Sequence, residues 1–297
     1  GDVFRPPQWA TLLSALVGAG MHLLLASSLL LGATLLGVVR VTRRGAILTS
    51  FIACYCLAAP VGGYVASRLF QQMRGKQNRG WVWNILLTAV IFPLPLLLVF
   101  SYVNTLAFSH QSTAALPFPT ILVVLTLYAV LAVPLTVVAG LAARSMTPYT
   151  PPCKPNQRER SVQPQPWFRS SAVTCFVCGF IPFTSISIEL YYIFAAMWGH
   201  HVYTLFGILG MAFALVVLVT AFVVIIQTWL QLTSEDHRWW WRAFLAGAAA
   251  GVFIFAYAAF YFFAYSEMSG VLQTSMFFGY MAIIAYAFAL MLGAVGF

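Results

Sequence analysis

Charge is scarce in this chain. Of its 297 residues only 7% are Asp, Glu, Lys or Arg, and the acidic residues number six. A soluble domain carries about 25% charged residues, so a soluble enzyme is excluded. A nucleic-acid binder is excluded with it, because the net charge of +9 is spread over loops instead of gathered into one basic face. Cysteine is also sparse. Cys54, Cys56, Cys175 and Cys178 sit in apolar runs and Cys153 in a basic loop, which is no disulfide framework. There is no Asn-x-Ser/Thr sequon, no His-Glu-x-x-His, no phosphate-binding loop and no nucleophile–base pairing. Nothing points to catalysis, and no cofactor or metal is expected.

What is abundant is apolar: 62% of the residues are hydrophobic. A helical membrane span needs about 20 such residues in a row. Eight runs qualify, at about 9–39, 46–66, 81–103, 119–143, 171–198, 202–230, 244–264 and 271–297. Helices close their own backbone hydrogen bonds in lipid, whereas a β-barrel would show short alternating segments. The expected fold class is all-α integral membrane, a polytopic bundle of eight transmembrane helices with the lipid bilayer as its first partner. The first run is too long for a signal peptide and lacks a cleavage pattern. The start "GDVFRPPQWA" has no Met and the end "MLGAVGF" is still apolar, so the chain is read as a piece of a longer protein.

Basic residues set the expected orientation. With both ends on one side, that side holds Arg5, Arg68, Arg74, Lys76, Arg79, Arg144, Lys154, Arg158, Arg160, Arg169, Arg238 and Arg242. The other side holds only Arg40, Arg43 and Arg44. Twelve against three makes the side of the ends cytosolic. The three arginines of the exception are read as a turn whose side chains snorkel. The loop at 144–170 carries six prolines and is read as a solvated linker near an anionic leaflet. Its "PPCKP" matches a bare PxxP, a weak partner signal. No internal repeat is visible, which disfavours repeat-built transporter folds.

One carboxylate stands out. In "SISIELYYIFAAMWGHHVY", Glu189 is the only acidic residue between Arg169 and Glu235. It lies about five residues past the middle of its run, about 7 Å from the centre at 1.5 Å per residue. In a continuous helix Ser185, Glu189, Tyr192 and Ala196 share a face, and Pro182 removes one backbone bond and can kink it. Three roles fit. A protonated Glu189 can glue helices together, it can greet another protein's transmembrane segment, or it can carry protons or cations. Sequence leaves all three open.

His22 is the other titratable group inside a run besides tyrosines and cysteines. A His22–Glu189 pair would make a relay or latch, and a lone satisfied histidine is the simpler reading. Cys175 and Cys178 have CxxC spacing without the two further ligands zinc needs, so they read as small apolar filler. In "SEDHRWWWRAF", Trp239, Trp240 and Trp241 with Arg238 and Arg242 form an interfacial anchor. Ser234, Glu235 and Asp236 can cap the helix that follows. Gly247 and Gly251 make a GxxxG, where small residues let another helix approach.

These motifs in order, "GDVFRPP", "GWVWNILLTAVIFP", "STAALPF" with "VPLTVVAG", "IPFTSISIELYYIFAAMWGHHVYTLFG", "EDHRWWWRAF", "FGY" and "GAVGF", resemble the nonaspanins, the transmembrane nine superfamily. The likeness covers nearly the whole chain. It departs at "NQRERSVQPQP", where the family usually shows an Asn-Gln-Ile-Pro-Arg-like run. The resemblance implies that the eight runs are the second to ninth spans and that both ends of this chain face the cytosol. It also implies a luminal domain before Gly1 and, after Phe297, a tail whose retrieval signal is read by coat machinery. It further implies Golgi and endosomal membranes, and a role in sorting and surface delivery of client transmembrane proteins, including those with glycine-rich segments. The expectation is a non-enzymatic sorting protein, with Glu189 or the Gly247 face meeting the client. The alternative is a proton- or ion-coupled transporter using Glu189 and His22, and a third reading is a purely structural subunit.

Overall fold

The protein's structure, a computed structural model, describes residues 2–39, 45–75, 80–111, 116–147, 151–153, 166–191, 202–234, 236–265 and 270–297, with backbone alone at 168 and 202–206. Among them there is no strand. The helices are α1 (Ala10–Leu35), α2 (Ala46–Arg74), α3 (Trp81–Val90), α4 (Pro93–Ser109), α5 (Phe118–Leu127), α6 (Val133–Ser145), α7 (Ser171–Ser185), α8 (Val202–Thr233), α9 (Trp239–Tyr265) and α10 (Val271–Gly296). Among the described residues seven segments are long and apolar enough to cross a membrane, with α3–α4 and α5–α6 each forming one crossing. The chain is therefore an all-α polytopic membrane protein.

The eighth expected span, 171–198, is represented by the 15-residue α7. It stops for a local reason. Pro182 lies inside α7 and cannot donate a backbone bond. The hydroxyls that follow bond back to nearby carbonyls: Thr184 Oγ1 to Ile181 O at 2.8 Å, Ser185 Oγ to Pro182 O at 2.7 Å and Ser187 Oγ to Thr184 O at 3.0 Å. Such bonds compete with a regular helix. Ile186 leaves helical geometry at φ −118° and ψ 7°, and a helical turn resumes at 187–191.

Prolines shape the third crossing as well. Pro93 cannot donate to Ala89 O, nor Pro95 to Ile91 O, so two carbonyls at membrane depth lose their helical partners. Tyrosines from other helices replace them. Tyr128 Oη donates to Ala89 O, and Tyr286 Oη donates to Ile91 O at 3.0 Å. Tyr128 opens a π-helical stretch, Tyr128–Ala132, that links α5 to α6.

The bundle is held by close helix contacts. α1 packs on α2 and α10, α2 on α6, and α9 on α10 and α7. Small residues make this closeness: a Cβ at Gly20 would stand 2.1 Å from Leu290 O, and one at Gly63 would stand 2.1 Å from Thr136 O. Without a hydrophobic drive between helices in lipid, such backbone proximity and a few buried hydrogen bonds supply the association. One of those bonds joins α1 to α3, where Ser14 Oγ donates to Asn84 Oδ1 at 2.6 Å.

Candidate functional site at the α7–α8 flank

His22 and Glu189 lie on different helix pairs. His22 is buried on α1 and faces α2, where its Nε2 lies 2.8 Å from Tyr55 O and its ring is 4.1 Å from that of Tyr55. A carbonyl only accepts, so Nε2 carries the proton and the histidine is satisfied. Glu189 sits in the turn beyond α7, and α7 packs on α8 and α9. No contact joins His22 to Glu189 among the described residues, so the latch is not formed. The reason is topological, because the two side chains serve different helix pairs.

Glu189 is half-buried and has no hydrogen bond or ion pair among the described residues. Ser185, four residues earlier, spends its hydroxyl on Pro182 O, and the break at Ile186 separates the two. Pro182 is fully buried. Tyr192 and Ala196 lie outside the described residues, as do Arg40, Arg43, Arg44 and most of the 144–170 loop.

The GxxxG face is already occupied. A Cβ at Gly247 would stand 2.2 Å from Leu292 O, and one at Gly251 would stand 2.6 Å from Ala285 O, both on α10. Gly247 and Gly251 thus pack within the bundle, and the alternative in which the Gly247 face meets a client loses its free surface. Cys175 and Cys178 are free thiols, and among the described residues no group of three or more metal-ligating side chains exists.

The tryptophan cluster is partly buried and touches both ends of the chain. Trp239 stacks on Trp240 at 4.2 Å, and both flank Phe297, at 5.9 and 5.8 Å. Trp239 Nε1 donates to Val3 O at 3.1 Å, and Trp241 Nε1 donates to Gln8 O at 2.7 Å. The three rings staple residues from both ends of this chain to the first turn of α9, while Arg238 stays exposed. Trp9, at 73%, and Trp167, at 80%, are the more exposed tryptophans.

Sequence reasoning missed the role of Asp236. It is buried, and its Oδ2 accepts from Arg242 Nη1 at 2.7 Å and Gln231 Nε2 at 3.3 Å, while Oδ1 accepts from the Arg238 backbone at 3.0 Å. The last bond closes a turn just before α9, at the place where a helix cap was expected. The ion pair with Arg242 was hidden because a spacing of six is not a helical neighbour spacing. Gln227 Nε2 continues the network by donating to Gln231 Oε1 at 3.1 Å.

This network borders a cavity of about 400 Å³ between α7, α8 and the start of α9. Its inner wall is apolar, with Val173, Val177 and Ile181 facing Val223 and Ile226. Its other end is polar, with Arg169, Ser234, Asp236 and Arg242. Arg169 Nη1 donates to Ser234 Oγ at 2.6 Å.

Comparison with known proteins gives this geometry a family. Residues 1–271 match the family model described as Endomembrane protein 70. The chain is 43% identical to Transmembrane 9 superfamily member 4 of Arabidopsis thaliana, covering all of this chain and 50% of that protein. It is likewise 43% identical to Transmembrane 9 superfamily member 1 of Mus musculus, over all of this chain and 48% of the relative. The chain thus spans about half the length of the relatives it matches. No solved structure matches significantly.

Proposed function

This chain belongs to the transmembrane 9 superfamily, and we propose that its task is to sort other membrane proteins and deliver them to the surface, without catalysis. In this reading it works in Golgi and endosomal membranes with both of its ends in the cytosol. The family description, an endomembrane protein, supports the compartment class. The excess of basic residues on the side of the ends supports the orientation.

The observation that carries the reading is Glu189. A carboxyl within an apolar run is costly unless it is paired, and this one lacks a partner among the described residues. It sits beyond α7, which exposes Phe176 and Phe180, and next to the exposed Ile188. A client segment rich in glycine exposes backbone that lipid cannot satisfy, and a carboxyl group can hydrogen-bond to it. The GxxxG face is closed by α10, so the α7 flank is the client face we assign.

The test compares wild type with Glu189→Gln, as the full chain, in cells lacking their own copy and at matched expression. Two single-span reporters are followed to the surface, one with a glycine-rich span and one with a leucine-rich span. Selective loss of the glycine-rich reporter is the expected result. Equal delivery of both reporters by the variant would remove Glu189 from sorting.

A further inference from the structure

The groove between α7 and α8 has two chemically different ends. Its apolar wall, Val173, Val177 and Ile181 facing Val223 and Ile226, extends about 12 Å along α7 at 1.5 Å per residue and suits an extended hydrocarbon chain.

It is also open to the bilayer: Val177 is 46% exposed and Ile226 58% exposed along its rim. At the polar end Asp236 neutralises Arg242 through their 2.7 Å pair. Arg169 has a neutral hydroxyl, that of Ser234, as its partner among the described residues. Among the described residues, Arg169 therefore has no acidic partner.

We propose that this groove is a binding site for one anionic phospholipid. The headgroup phosphate lies at Arg169 and the outer edge of Arg242, with the Thr174 and Ser234 hydroxyls beside it. One acyl chain lies along Val173, Val177 and Ile181 against Val223 and Ile226. Charge-assisted hydrogen bonds from guanidinium to phosphate give the preference for charge, and burial of methylenes holds the chain. The site is separate from the client face at Glu189 and does not depend on the sorting reading.

The experiment places the purified full-length protein in nanodiscs of phosphatidylserine and phosphatidylcholine in equal parts, and counts retained lipids by native mass spectrometry. Wild type should keep one phosphatidylserine, in about tenfold preference over phosphatidylcholine, the ratio that one charge-assisted contact supplies. Arg169→Gln should bring the preference close to one, and Val177→Trp should reduce retention of both lipids. Arg169 and Val177 are both exposed, so neither variant disturbs the core, and monodisperse elution checks this. Retention in proportion to the lipid supplied would overturn the proposal, as would an unchanged preference in Arg169→Gln. If inorganic phosphate displaces the lipid while Val177→Trp leaves retention intact, the site takes free phosphate and the acyl-chain assignment fails. Because the readout uses purified protein, a failed sorting assay leaves it standing.

Discussion

The two sides of the bundle solve the same membrane problem differently. On the α1–α2–α6–α9–α10 side, backbones touch and several buried polar groups find partners within the chain, although the Gln71 amide and Trp240 Nε1 do not. Gly20 meets Leu290 O, His22 meets Tyr55 O, and Tyr286 meets the carbonyl that Pro95 leaves free. On the α7–α8 side, a proline and three hydroxyls cut the helix short, a groove of about 400 Å³ remains, and Glu189 finds no described partner. Both sides are built from apolar runs, and α8 on the open side is the most apolar of the seven candidate spans. Composition therefore puts residues in the membrane, while the placement of glycine, proline and hydroxyls decides which face closes and which stays open.

The largest effect expected from this contrast is a matched pair of glycine substitutions. Gly247→Val forces a side chain to within 2.2 Å of Leu292 O, where backbone cannot yield cheaply. Overpacking of this kind costs about 3 kcal/mol. Gly207→Val, on α8, meets nothing within 4 Å and should change stability by less than about 1 kcal/mol. Unfolding in mixed micelles with rising denaturing detergent measures both. Equal losses would erase the distinction between a closed and an open side.

Arg242→Gln should come next, at about 2 kcal/mol, because it strands the buried Asp236. The pair is partly solvated, with the Arg242 side chain 27% exposed, so the cost falls below that of a fully buried ion pair. Adding Asp236→Asn to Arg242→Gln should recover part of the loss, since the stranded charge is then gone. A double variant that is worse than the sum of the singles would mean that Asp236 acts chiefly by closing the turn before α9 and not as the partner of Arg242.

Much of this was legible in the sequence, for physical reasons. Long apolar runs survive any detail of packing, so the all-α membrane class and seven of the crossings follow from hydropathy alone. The Gly247–Gly251 spacing announced a close helix contact, though not that its partner is α10. In the eighth run, hydropathy does not register the break at Ile186, which follows Pro182 and the hydroxyls of Thr184, Ser185 and Ser187; the run's last residues, 192–198, lie outside the described residues. The tryptophans read as an interface anchor, and only tertiary structure adds that two of their indoles donate to Val3 O and Gln8 O. The Asp236–Arg242 pair and the His22–Tyr55 contact are tertiary facts with no local period to betray them.

The finest test of the closed side concerns the carbonyl of Ile91. Pro95 cannot donate to it, and Tyr286 Oη does so from α10 at 3.0 Å. Tyr286→Phe should cost about 1 kcal/mol, the usual net worth of one hydrogen bond with a penalty for the stranded acceptor. Pro95→Ala restores a backbone N–H four residues after Ile91, so the carbonyl gains a second donor within its own helix. The two changes are then coupled: Tyr286→Phe should cost less in the Pro95→Ala background than in wild type. Additive costs in a double-mutant cycle would show that the tyrosine is held by packing against Phe92, whose ring is 6.3 Å away, and that the carbonyl is satisfied by other means. A positive coupling would instead establish that this side of the bundle tolerates its prolines because distant helices supply the hydrogen bonds they remove.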